Sequence, residues 1–257
     1  MKNKTFKTSN YSCYYNFYKK RNIFLFLNGI GGIKDFFYDF IRYKKNYGYL
    51  LVDLPGFGDS KYRTKPKKII KDHISILKKI FLKEKIQKFN LVVFSLSTGY
   101  LHMIDQDLEI RKKIKKVILL DPSLVKDDLN WSIEIFKKNK VEFLKYIKNY
   151  KKNIHKIFRL ALVNKKKNIK NITKNLIKFD PSILYNLNRE CVNIVLKKKV
   201  FKLLNKKKDI LAIYPKNRKI KKNLRKKFKK IILIENSNHY LSLDNPRKTY
   251  EAIINNV

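Results

Sequence analysis

The feature that most restricts how this chain can fold is a recurrent change in the period of its hydrophobic residues. Ile23–Leu27, Tyr49–Val52, Leu91–Phe94 and Val117–Leu120 are short, wholly apolar or aromatic runs, each closed by turn-forming residues. They are too short for helices and read as buried strands. Between them the apolar residues fall three and four apart: Phe36, Phe37, Phe40 and Ile41, then Ile69, Ile70, Ile74, Leu77, Ile80 and Phe81. The second set predicts an amphipathic helix over 69–86. Strands alternating with helices at this interval make βαβ units, so the expected fold class is α/β, a mostly parallel central sheet flanked by helices.

The alternation stops after Leu120. From Ser123 to Asn205 the pattern is helical throughout, and it returns to strands at Ile210–Tyr214 and Ile231–Ile234 before a terminal helix from Pro246. This predicts a core made of residues 1–122 and 206–257. A helical lid, residues 123–205, is then inserted before the last two strands. Open α/β sheets bind ligands at the carboxyl edge of their strands, which such a lid would cover. A chain of 257 residues is an ordinary size for one such domain.

Composition narrows the partners. The formal charge of +42 would suit nucleic acid or an anionic surface. The lysines, however, run almost from end to end and accompany abundant Asn, Ile, Tyr and Phe, residue types with A/T-rich codons. An AT-rich genome accounts for that mixture, and with no zinc-finger or RRM-like signature no specific nucleic-acid partner is expected. Weak binding to acidic partners remains compatible with the charge. No apolar run reaches the roughly 18–20 residues of a membrane span. The polar first ten residues do not read as a secretory signal. Cys13 and Cys191 are far apart and lack ligand spacing, so the reading is a cytoplasmic chain without disulfide, metal or organic cofactor.

Four segments carry chemistry. Ser95-Leu96-Ser97-Thr98-Gly99 turns from a strand into a helix. Asn28-Gly29-Ile30-Gly31 follows the Ile23–Leu27 strand, and Asp53-Leu54-Pro55-Gly56-Phe57-Gly58-Asp59-Ser60 follows the next. Asn236-Ser237-Asn238-His239 comes after the last strand. Together they resemble the α/β-hydrolase fold family over nearly the whole chain. On that resemblance the first segment is the nucleophile elbow, usually Gly-x-Ser-x-Gly, with Ser97 as nucleophile and Ser95 in place of the first glycine. The second is the oxyanion loop, so the backbone amides of Ile30 and Thr98 would hold the developing oxyanion. The Asp53–Ser60 loop is structural. His239, one of four histidines, would be the general base; His73, His102 and His155 lie in helical segments away from such a loop.

The family pattern fails at the acid. Its usual place follows the Ile210–Tyr214 strand, where Pro215-Lys216-Asn217-Arg218-Lys219 stands and no carboxylate occurs until Glu235. Asp121, at the end of the preceding strand, is the substitute, although Asp121-Pro122 could equally start a turn into the lid. Asn217 is the fallback for orienting the histidine. The function these residues imply is a serine hydrolase cleaving an ester, thioester or related acyl bond of a small molecule through an acyl-enzyme on Ser97. The alternatives are a degenerate hydrolase-fold binding protein without a complete triad, and a basic protein acting on acyl groups borne by an acidic carrier protein.

Overall fold

A computed structural model describes residues 3–43, 46–163, 169–206 and 209–257. The strands are β1 (Lys4–Lys7), β2 (Tyr11–Tyr18), β3 (Ile23–Leu27), β4 (Gly48–Asp53), β5 (Lys61–Tyr62), β6 (Phe89–Phe94), β7 (Ile114–Leu120), β8 (Ile210–Pro215) and β9 (Lys230–Ile234). They form one sheet in the order β1-β2-β4-β3-β6-β7-β8-β9, with β5 paired to β2. From β4 to β9 all neighbours are parallel, while β1, β2 and β5 pair antiparallel. The expected parallel sheet is therefore present, extended by an antiparallel edge that hydrophobic period does not reveal. In β2, Cys13 and Tyr15 are fully buried, but Ser12 and Asn16 interrupt the apolar run. Tyr15 can be buried because its hydroxyl donates to the Glu84 carboxylate at 2.6 Å.

Four short or medium helices stand between the first seven strands: α1 (Phe40–Tyr43), α2 (Ile69–Lys83), α3 (Thr98–Gln106) and α4 (Leu108–Lys113). The predicted helix at 69–86 is α2, ending three residues early. The helical spacing of Phe36 to Ile41 becomes a 3-10 turn, Lys34–Phe37, followed by the single turn of α1. Alternate residues of the parallel strands feed two cores. Leu25 and Leu27 pack with α2 and α3, whereas Phe24 and Phe26 pack with Phe37, Phe40 and the terminal helix. Each phenylalanine buried to the extent of Phe26 contributes roughly 1.5–3 kcal/mol.

Between β7 and β8 lie α5 (Asn130–Lys137), α6 (Lys140–Ala161), α7 (Ile169–Leu176), α8 (Pro181–Leu196) and α9 (Lys199–Lys206). Asn139 caps α6 by accepting from the Val141 and Glu142 amides, and Asp180 caps α8 by accepting from Ser182 and Ile183. Not all of this segment stands apart from the core. Helix α8 packs on α2 and α3 as well as on α5 and α6, and α9 packs on α3. The contact is close because Gly99 has no side chain: a Cβ there would sit 2.8 Å from Cys191 Sγ. The last part of the expected lid thus belongs by its packing to the layer on the sheet. The chain closes through α10 (Lys222–Arg225), α11 (Leu241–Asp244) and α12 (Pro246–Ile254). Among the described residues, no helix is long and apolar enough to cross a membrane.

Candidate active site

The carboxyl ends of β3, β6, β7 and β8 open into one cavity of about 640 Å³. At the end of β6 the chain must leave a buried strand and enter α3 within a few residues. The residue that absorbs this reversal is Ser95, whose φ of 56° lies in the left-handed region. A serine held there is strained, of order 1–3 kcal/mol, and such strain clusters at functional sites. Ser95 is half-buried and lines the cavity.

Ser97, expected as the nucleophile of the elbow, does not occupy this corner, which lies two residues earlier. Ser97 has ordinary helical dihedrals, φ −63° and ψ −5°. It is 3% exposed and spends its hydroxyl on the carbonyl oxygen of Asn28. Thr98, expected to supply an oxyanion donor, has its amide engaged elsewhere. The Thr98 amide donates to the carbonyls of Leu96 and Ser95, so it is committed to the turn. The amide following the strained serine is that of Leu96. Ile30 stays where it was expected, on the loop facing the elbow and lining the cavity. Gly29 permits this approach, since a Cβ there would lie 3.1 Å from Ser95 Cβ and 3.2 Å from the Phe94 ring. Among the described residues neither the Ile30 nor the Leu96 amide has an intramolecular acceptor.

His239 and Asp121 meet as expected. The His239 Nδ1 lies 2.6 Å from Asp121 Oδ2, within a strong hydrogen bond, which leaves Nε2 as the free ring nitrogen. Asp121 is 4% exposed and sits at a φ of 34° directly after β7, its amide donating to Ile213 O of β8 at 2.8 Å. The His239 ring stacks at a tilt on Phe94, the neighbour of Ser95, with centroids 4.8 Å apart. Asn217, the fallback orienting group, instead donates to the Asn238 side chain at 3.1 Å.

Several supporting residues escaped sequence reasoning. Arg218, on the loop that lacks the usual acid, places Nε 3.5 Å from Asp121 Oδ1 and Nη2 2.7 Å from Asp128 Oδ1. Asp128 in turn accepts from the Leu124 and Val125 amides, fixing the turn after β7. Asp244 holds the histidine loop by accepting from the Asn238 amide, and it also accepts from Val163 at the end of α6, each at 2.8 Å. Below the oxyanion loop, buried Lys34 brings its amide to 2.7 Å from Asp53 Oδ1 and its ammonium to 3.2 Å from Oδ2. Burial pushes the Asp53 carboxyl up to about 6, although Lys34 partly offsets it. The other histidines lie outside the cavity lining. His73 is fully buried between Tyr100 Oη and Pro55 O, and its pKa is lowered to about 4 by that burial.

With this geometry in place, the comparison with known families is decisive. Residues 22–162, more than half of the chain, match the model of the alpha/beta hydrolase fold. The chain belongs to the α/β-hydrolase fold family. Solved structures share its fold at low identity. A hydrolase from Pseudomonas aeruginosa PA01 superposes with a TM-score of 0.72 at 11% identity, covering 98% of this chain and 97% of its own. Cfl2 from Burkholderia cenocepacia gives 0.74 at 12%, covering 98% and 94%. The Cif epoxide hydrolase from Acinetobacter nosocomialis gives 0.74 at 16%, covering 100% and 88%. No curated protein sequence matches. In this α/β-hydrolase Lys34 ties Asp53, the first residue of the 53–60 loop, to the segment that follows β3.

Proposed function

We propose that this α/β-hydrolase cleaves an ester or related acyl bond through an acyl-enzyme on Ser95, with His239 as general base and Asp121 as the acid that orients it. The observation that carries the reading is the conformation of the turn. Of its two serines, Ser95 has the left-handed backbone and faces the cavity that holds the His239–Asp121 pair. The Ser95 hydroxyl attacks the substrate carbonyl and passes its proton to His239 Nε2. The carbonyl oxygen, now carrying the negative charge, is held by the Ile30 and Leu96 amides. His239 then returns the proton to the departing alcohol or thiol, and a water deprotonated by the same nitrogen releases the acid. Asp121 keeps the proton on Nδ1 and stabilises the imidazolium without itself becoming protonated. The hydrogen bond between Asp121 and His239 favours this reading over a non-catalytic hydrolase fold.

The test exploits the two serines. Ser95→Ala should lower kcat on p-nitrophenyl esters by about 10⁶-fold, as loss of a triad nucleophile does. Labelling by a serine-directed fluorophosphonate should disappear with it. Ser97→Ala should remain labelled and active, losing only stability from its hydrogen bond to Asn28 O, about 1 kcal/mol. The reverse pattern would return the nucleophile to Ser97. Turnover of styrene oxide with none of esters would point to ring opening instead.

A further inference from the structure

The loop after β8 holds no carboxylate; the charge it brings to the acid of the site is a cation, Arg218. Taking His239 as the general base, we infer that Arg218 is a positioning residue that acts through charge. It sits against the free oxygen of Asp121, offsets that carboxylate's pull on a proton at His239, and so keeps the imidazole neutral and able to accept the serine proton at lower pH. The two oxygens of Asp121 are used unequally. Oδ2 is hydrogen-bonded with His239 Nδ1 at 2.6 Å, whereas Oδ1 is buried and has no hydrogen-bond partner among the described residues. What faces Oδ1 is Arg218 Nε at 3.5 Å, an ion-pair contact too long for a good hydrogen bond. Arg218 is held there by Asp128: Nη2 donates to Asp128 Oδ1 at 2.7 Å, and Asp128 Oδ2 accepts the Leu124 and Val125 amides.

A carboxylate beside a histidine favours the charged ring, and a cation beside that carboxylate does the reverse. Asp121 is buried, so solvent screens neither effect strongly. The carboxylate is placed without help from Arg218, by the Asp121 amide on Ile213 O and by His239 itself. Charge is therefore what the guanidinium adds. Other groups also face the pair. Asp128, on the turn after β7, is an anion one contact beyond Arg218. Tyr214 of β8 and Tyr240 of the histidine loop stay neutral, because lost hydration pushes their phenols up, and it takes Tyr150 of α6 to about 12. Lys219 lines the cavity from an exposed position, and Asp244 is engaged with the Asn238 and Val163 amides. The tyrosines, Lys219 and Asp244 are common to every variant below, so differences between variants report Arg218 and Asp128.

With only four histidines in the chain, His239 can be titrated directly by NMR on isotope-labelled histidine, its ring signal being the one lost in His239→Gln. Arg218→Gln removes the cation and should move this titration to higher pH by roughly half a unit or more, the scale of losing one nearby charge. Arg218→Lys keeps the charge and should titrate with the wild type. Asp128→Asn can still accept the Leu124 and Val125 amides but removes an anion, so it should move the titration the other way, to lower pH. Turnover should follow: kcat/KM of Arg218→Gln for p-nitrophenyl acetate, relative to wild type, should be about threefold lower at pH 6 than at pH 8. A structural role exerted through the turn that Asp128 fixes would move Arg218→Gln and Asp128→Asn in the same direction. That result, or an unmoved titration in Arg218→Gln, would overturn the inference. If Arg218→Gln alone does not fold, the double variant Arg218→Gln/Asp128→Asn, which leaves Asp128 no unpaired charge, is compared with Asp128→Asn; it should titrate at the higher pH of the two, and the opposite order would overturn the inference equally. Opposite shifts in a protein that turns over no ester would uphold the role of Arg218 while refuting the hydrolytic reading.

Discussion

Lys34→Met removes an ammonium 3.2 Å from the Asp53 carboxylate and keeps most of the side chain's bulk. Asp53 is 2% exposed, and burial has raised its pKa from an ordinary 3.8 to about 6 even with Lys34 beside it. The unfolded chain releases this proton from pH 3.8 upwards, while the folded protein keeps it until about 6. Stability from this group is thus complete below the lower value and lost above the higher one. At about 1.4 kcal/mol per pH unit, that loss is roughly 3 kcal/mol. Without the ammonium the folded pKa rises further, so the variant leaves a buried, unpaired carboxylate at pH 8. Breaking a buried pair in this way costs about 3–5 kcal/mol. At pH 4.5 the folded wild type and variant both hold Asp53 mostly protonated, and the cost should shrink to about 1 kcal/mol, the worth of a hydrogen bond. The second contact of Lys34, with the partly exposed Asp35 at 3.4 Å, adds little at either pH. Urea unfolding of both proteins at pH 4.5 and pH 8 measures the difference. A cost equal at the two values, or larger at pH 4.5, would refute the account of Asp53 as a carboxyl held against its own desolvation by Lys34.

Asp121→Asn should leave the melting temperature nearly unchanged and lower kcat by about 10⁴-fold, because an amide cannot enforce the tautomer with the proton on Nδ1; retention of more than a tenth of wild-type turnover would remove Asp121 from the mechanism. Gly29→Ala puts a methyl group against Ser95 Cβ and the Phe94 ring, which must part by a few tenths of an ångström. The oxyanion loop then stands off from the elbow, and a fall in kcat of about tenfold with KM little changed is expected, since misplacement of the order of 1 Å costs about 10²-fold. Unaltered steady-state kinetics in that variant would show that the close approach is not needed.

The sequence alone determined the parallel part of the sheet, because a strand buried on both faces writes itself as an unbroken apolar run. Ile23–Leu27, Leu91–Phe94 and Ile210–Tyr214 are legible for that reason. The resemblance to the family pointed to the His239 loop and the glycine turn after β3, and elimination left Asp121 as the carboxylate, which is hydrogen-bonded to His239. The antiparallel edge was hidden because Tyr11–Tyr18 mixes buried aromatics with Ser12 and Asn16, so neither period is clean. Tertiary structure decided the rest of the site. Two serines two residues apart, in a turn rich in small residues, satisfy the same motif, and nothing local says which one turns the corner. That depends on where β6 ends in register against β3 and β7, with Phe94 opposite Leu120, so that Ser95 is the first residue beyond the ladder and takes the left-handed backbone. The same register carries Ser97 down to the Asn28 carbonyl and engages the Thr98 amide inside the turn. Arg218 and Asp244 could not have been chosen from a chain with 62 lysines and arginines and 20 carboxylates. Their roles come from residues far away in sequence: Asp121 and Asp128 beside Arg218, and the end of α6 beside Asp244.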